Sequence, residues 1–160
     1  MNKTGVSSCF ATVFRLGVLL LVSTISLGSS AEPEVEQENA VNLFVGNTQN
    51  GSLNGASIGV GYERRLTSLF GVGGFLEYAG GDFDVTSLGA TLHLHPHAGW
   101  EFKLSPGVEL DGGEQDLMFR VGVGYEFEVV PSWAIVPELN VDFVDGESEL
   151  IYGVSAQYEF

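Results

Sequence analysis

The chain has 160 residues, with 6 Lys and Arg against 21 Asp and Glu, a formal charge of −15, and 44% hydrophobic residues. That length points to one domain. The acid excess excludes nucleic acid as a partner, because phosphate binding needs basic patches, and the hydrophobic content excludes a disordered acidic polymer.

Residues 1–31 read as a cleavable Sec signal peptide. Lys3 and Arg15 supply the positive start, Leu16 to Leu27 the apolar run, and Ser29-Ser30-Ala31 the cleavage site. The uninterrupted apolar core is shorter than the roughly 20 residues of a spanning helix. Cys9 lies within the signal, so the mature chain has no cysteine and relies on hydrogen-bonded closure and packing rather than disulfides. Cleavage leaves Arg64, Arg65, Lys103 and Arg120 against all 21 acids, a net charge of −17. Residues 32–39 are charged and without period, a flexible acidic periplasmic lead-in to a barrel over 40–160.

Eight alternating segments follow. The first, Ala40 to Asn47, turns Val41, Leu43 and Val45 to one face. Thr48 to Gly55 reads as the turn into a second strand with Ala56, Ile58, Val60 and Tyr62 opposite Gly59, Gly61, Glu63 and Arg65. The third sets Phe70, Val72, Leu76 and Tyr78 against Gly71, Gly73, Phe75 and Glu77. Gly80-Gly81-Asp82 leads to the fourth, where Leu88, Leu92 and Leu94 oppose Gly89, His93 and His95, and Pro96 is expected to end it. The fifth carries Trp100, Phe102 and Leu104 against Glu101, Lys103 and Ser105. After the turn Asp111-Gly112-Gly113-Glu114, the sixth has the cleanest alternation, with Phe119, Val121, Val123, Tyr125 and Phe127 against Arg120, Gly122, Gly124, Glu126 and Glu128. Pro131-Ser132 turns into the seventh, with Leu139, Val141 and Phe143 against Glu138, Asn140 and Asp142. Pro137 cannot donate a ladder bond, so a bulge or a later start is expected there. The last strand, Leu150 to Phe160, places Tyr152, Val154, Ala156, Tyr158 and Phe160 opposite Gly153, Ser155, Gln157 and Glu159, and should pair with the first near Leu43.

Alternation alone allows a soluble barrel with an apolar interior. Two features favour the inverse. Glycine crowds the polar face, as a narrow interior requires to seat large side chains, and the aromatic residues of the apolar face collect toward strand ends, as membrane interfaces favour. The fold class is therefore all-β, an eight-stranded antiparallel transmembrane β-barrel.

Gly61-Tyr62-Glu63, Gly71-Val72-Gly73-Gly74-Phe75, Val121-Gly122-Val123-Gly124-Tyr125-Glu126 and the closing strand carry a resemblance to the small outer-membrane barrel family that includes the OmpA transmembrane domain and OmpX-type proteins. The resemblance implies the Gram-negative outer membrane, contact with its lipid and lipopolysaccharide, delivery by periplasmic chaperones, and insertion by a barrel assembly machinery that reads the terminal signature Tyr158 and Phe160. A monomer is expected. The connections read as too short for adhesive protrusions, and, unlike OmpA, no peptidoglycan-binding domain is expected.

The inward face gathers Glu63, Arg65, Glu77, Glu101, Lys103, Arg120, Glu126, Glu138 and Asp142 into a lumen charge network. Charges in so narrow a space must pair or keep water, giving either a polar plug or a narrow cation-preferring path. His93, His95 and His97, close together, form a weak candidate site for Zn²⁺ or Cu²⁺. No cofactor is expected, and no Ser-His-acid set is evident. The expected role is a structural or weakly permeating barrel without catalysis. The alternative is a surface module that binds divalent cations, lipopolysaccharide or a partner protein through the acidic extracellular loops.

Overall fold

The computed structural model describes residues 39–97 and 99–160. The signal peptide and nearly all of the acidic lead-in lie outside the described residues. Within them the strands are β1 (Asn39–Asn50), β2 (Leu53–Arg65), β3 (Phe70–Ala79), β4 (Val85–His97), β5 (Trp100–Asp111), β6 (Glu114–Tyr125), β7 (Phe127–Val130), β8 (Trp133–Val144) and β9 (Glu147–Glu159).

Every neighbouring pair is antiparallel, and the sheet runs β6-β5-β4-β3-β2-β1-β9-β8-β7 with β6 also paired to β8. That last pairing closes the barrel. β7 continues the line of β6, because Gly124 faces Glu138 and Phe127 faces Ile135 in one unbroken register. The two segments make one wall strand, so the barrel has eight.

The gap between them lies opposite Pro137, which explains it. Pro137 sits inside β8 and pairs with Val154 without a bulge, contrary to the expectation of a bulge or a later start. With no N–H to offer its other neighbour, it interrupts the facing strand beside Tyr125, while Glu126 keeps its bond on the β5 side, its N–H donating to the Gly99 carbonyl at 2.7 Å.

Two other expected boundaries move outward. Only Gly51 and Ser52 of Thr48 to Gly55 form the turn, and the rest is strand, with pairing continuing to Asn50 and Leu53. The polar residues there keep the inward alternation, and Thr48 and Ser57 share a buried 2.7 Å hydrogen bond. Pro96 does not stop β4, which continues to His97 across a register shift.

The connections opposite the termini are tight. Asp145 (φ 46°) and Gly146 (φ 87°), like Gly112 (φ 54°) and Gly113 (φ 99°), both take positive φ, the geometry that matches the twist of a two-residue hairpin. Pro131 and Ser132 (φ 68°) turn the chain at the other end, with proline at the position where its fixed φ suits a turn.

Closure follows the expected register, with Leu43 facing Ala156 across β1 and β9. Asn39 and Phe160 complete it by exchanging two backbone hydrogen bonds, 2.9 and 2.8 Å.

The barrel is inside out relative to a soluble protein. Leu43, Val60, Leu76, Val121 and Leu139 face outward with 40–52% of their surface exposed, whereas Glu63, Glu101 and Asp142 are 1–3% exposed. An apolar outer wall over a polar interior is the pattern of a barrel surrounded by lipid. Aromatic side chains gather at the end that holds both termini, where Tyr158 stacks on Phe160 and meets Trp133 at a tilt, and Trp100 meets Tyr125 edge to face at 5.2 Å.

Glycine makes the interior habitable. A methyl group on Gly71 would meet the Glu63 carboxylate at 2.0 Å, one on Gly122 the Asn140 amide at 2.1 Å, and one on Gly46 the Phe44 ring at 2.4 Å. Each of these glycines seats a large inward side chain.

Candidate functional site

The inward positions of β3, β6 and β8 converge on Arg120. It lies beside Asp142 in the β6–β8 register and donates to it from Nε at 2.6 Å and from Nη2 at 2.7 Å. Its Nη1 and Nη2 also reach Glu77 on β3, at 3.0 and 3.3 Å. The guanidinium lies over the Phe75 ring, 4.2 Å from its centroid. One side chain thus ties two non-adjacent walls together, with the planar fork and ring stacking that distinguish Arg from Lys.

A second layer is built on Glu138. It accepts from Lys103 of β5 and from Ser155 of β9, and Asn140 donates to it at 3.3 Å. Lys103 Nζ is also 3.6 Å from Glu101.

Toward the end that holds the termini, Arg65 donates to both oxygens of Glu126, at 2.8 and 3.1 Å. It lies 3.8 Å from both Glu63 and Glu159. Gln157 bridges Glu126 and Glu159 at 3.0 and 3.2 Å. Between these layers, His95 Nε2 is 2.8 Å from Glu63 and His93 Nδ1 is 2.5 Å from Glu101.

Little space remains in the middle. A cavity of about 40 Å³ lies among Phe44, Phe75, Glu77, Lys103, Arg120 and Asn140, room for a few water molecules. The end that holds the termini opens instead into a vestibule of about 620 Å³, lined by Arg65, Glu126, Glu128, Ser132, Trp133 and Glu159 among others.

The residues expected in the lumen network occur in these layers: Glu77, Arg120 and Asp142 in the first, Lys103 and Glu138 in the second, Arg65 and Glu126 in the third, with Glu63 and Glu101 between. Sequence reasoning missed the neutral groups that complete it. Ser155, Gln157 and Phe44 carry no sequence signal beyond the parity that turns each of them inward. His93 and His95 come together with Glu63 and Glu101. His97 is exposed at the end of β4, outside that group. Tyr158 and Phe160 stack on each other at the rim, with ring centroids 6.0 Å apart.

The acidic residues expected in outward loops line the opposite end, several of them engaged locally. Asp82 accepts from the Asn54 N–H at 3.1 Å, Asp84 from the Tyr78 hydroxyl at 2.7 Å, and Glu147 from Asn50 at 3.0 Å.

No protein-family model matches the sequence, and no curated protein matches it. Solved structures do. Ail, the attachment invasion locus protein of Yersinia pestis, superposes with a TM-score of 0.58 at 15% identity, over 78% of this chain and 99% of that one. The fold is that of the small outer-membrane β-barrels. Neisserial surface protein A gives 0.56 at 11% identity, over 77% and 96%, and the N-terminal barrel domain of Pseudomonas aeruginosa OprF gives 0.52 at 17%, over 78% and 98%. A designed transmembrane β-barrel matches comparably, with 0.53 at 14% identity. The likeness is therefore to an architecture rather than to an activity.

Proposed function

We propose that this protein is an outer-membrane β-barrel of a Gram-negative bacterium whose interior is a polar plug, so that its role is structural rather than conductive. The observation that carries the reading is the Arg120 clamp, which joins Asp142 on β8 to Glu77 on β3 across the lumen and leaves about 40 Å³ beside it. A hydrated cation needs a continuous wet path, and a buried ion pair that spans the barrel opposes one. The apolar outer wall, the aromatic rim and the likeness to Ail, an outer-membrane protein of Yersinia pestis, support the compartment. A Sec signal over residues 1–31 and an assembly signal at Tyr158 and Phe160 belong to the same proposal.

The chain is read as non-catalytic. Ser105, the buried serine of β5, donates to Thr91 at 2.9 Å, and Ser87 donates to Glu109 at 3.4 Å, so neither is paired to an imidazole as a serine nucleophile requires.

Ail has been crystallised with a heparin analogue, sucrose octasulfate. That ligand class does not carry over, because the hairpin end here is lined by Asp82, Asp84, Asp111, Glu114 and Asp145, which would repel a polysulfate.

Cell fractionation and ion flux test the two halves. The protein should sediment with the outer membrane and run as a heat-modifiable band, and vesicles that contain it should hold a potassium gradient as long as empty vesicles. Recovery in the soluble periplasm, or rapid collapse of the gradient, would remove the corresponding half.

A further inference from the structure

Four inward side chains from three strands converge below the vestibule: Glu63 of β2, His93 and His95 of β4, and Glu101 of β5. Each offers one ligand atom, and these atoms all lie within 4.8 Å of one another. We infer that this group binds one divalent transition-metal ion of the Zn²⁺ class inside the barrel.

The donor chemistry selects the ion. Two imidazole nitrogens and two carboxylate oxygens form the mixed set that suits Zn²⁺ and its neighbours, while Ca²⁺ and Mg²⁺ favour oxygen alone. Four donors also match the coordination number Zn²⁺ takes in closed sites. The present contacts, His93 Nδ1 to Glu101 at 2.5 Å and to Glu63 Oε2 at 3.6 Å, and His95 Nε2 to Glu63 Oε1 at 2.8 Å, lie at or below the donor separations of about 3.3–3.6 Å that bonds of about 2.0–2.2 Å impose on a tetrahedral ion. Small side-chain adjustments would admit it.

Charge and hydrogen bonding favour the same conclusion. Glu63 and Glu101 are 2% and 3% exposed, yet the neighbouring cations make their shortest contacts elsewhere, Arg65 with Glu126 and Lys103 with Glu138. Two buried carboxylates that lack a direct bidentate cation are costly, and a divalent ion would neutralise both. Among the described residues, neither imidazole bonds outside the group. The acidic walls of the vestibule, Glu126, Glu128 and Glu159, give a cation its entry path.

The proposal rests on the barrel but not on its being closed to ions, and it replaces a site of three histidines with one in which Glu63 and Glu101 stand in for His97. The test uses tag-free protein, refolded in detergent and stripped with EDTA, then titrated with Zn²⁺ by calorimetry and with Co²⁺ by visible absorption. One ion per chain is expected for the wild type and for His97→Ala, with an intense tetrahedral Co²⁺ spectrum, and His95→Ala and Glu101→Gln should each bind at least tenfold more weakly. Heat-modifiability shows whether each variant has folded. The wild-type Co²⁺ spectrum keeps the test open if a variant does not fold. Absence of binding by the wild type, a weak octahedral spectrum, undiminished binding by folded His95→Ala, or loss in folded His97→Ala would overturn the inference.

Discussion

Arg120 on β6 and Glu77 on β3 face each other across the lumen and are joined by two hydrogen bonds of 3.0 and 3.3 Å. Their strands are not neighbours in the sheet, so this pair holds opposite walls rather than adjacent ones, and Asp142 fixes the same guanidinium from the side.

Removing that cation strands two buried acids. Arg120→Ala is expected to lower stability by about 3–5 kcal/mol, the usual cost of breaking a buried pair by deleting one partner. Arg120→Met combined with Glu77→Gln and Asp142→Asn should cost less, because no buried charge is left unpaired. Urea titration of the refolded protein in lipid vesicles, read by tryptophan fluorescence, compares them. Equal losses would show that packing rather than charge governs this layer.

The crowded glycines give a sharper contrast. A Cβ on Gly73 would lie 1.8 Å from the Tyr62 carbonyl oxygen, which is backbone, whereas one on Gly80 meets nothing closer than 3.4 Å. Gly73→Ala is expected to destabilise by at least about 1–3 kcal/mol, the range for overpacking, and Gly80→Ala by under about 0.5 kcal/mol, as for ordinary surface changes. The same urea titration reads both, and near-equal midpoints would contradict the packing described for the interior.

Pro137 offers a gain rather than a loss. Pro137→Val supplies the missing donor opposite the β6–β7 gap, so amide exchange at Tyr125 and Phe127 should slow and the ladder should run unbroken. A restored hydrogen bond contributes about 0.5–1.5 kcal/mol. Unchanged exchange in the folded variant would place the cause of the interruption elsewhere.

The closing residue is expected to act in assembly. Deleting Phe160 removes its two backbone hydrogen bonds to Asn39 and its ring from Tyr158, and the fraction of heat-modifiable protein in cells should fall. Normal accumulation of the folded band would contradict that role.

Much of this architecture was legible because a strand's side chains alternate with a period of 2. Parity placed Glu63, Arg65, Glu77, Glu101, Lys103, Arg120, Glu126, Glu138 and Asp142 inside without any knowledge of the sheet. What parity cannot give is height and partner. Glu77 and Arg120 are 43 residues apart, and only closure with strand tilt brings them level. The same limit hid the group of Glu63 and Glu101 around His93 and His95: all four have inward parity, but the sequence shows only the histidines as neighbours, and that drew in His97. The end of β1 and the start of β2 are hard to see because Thr48, Gln49, Asn50 and Asn54 are polar and Gly51 and Gly55 flank the lone apolar Leu53, and polarity at a strand end looks like a turn until the pairing partner is known. Pro137 was recognised as an interruption, but its effect falls on the facing strand, which a reading of one strand at a time does not reach.

Single-channel recording in planar bilayers tests the central claim most directly, with insertion verified by protease protection of the same preparation. The closed lumen predicts no steps above baseline for the wild type in potassium chloride, and cation-selective steps once Glu77→Ala and Arg120→Ala are combined to remove the clamp. Reproducible cation-selective steps from the wild type would contradict the account.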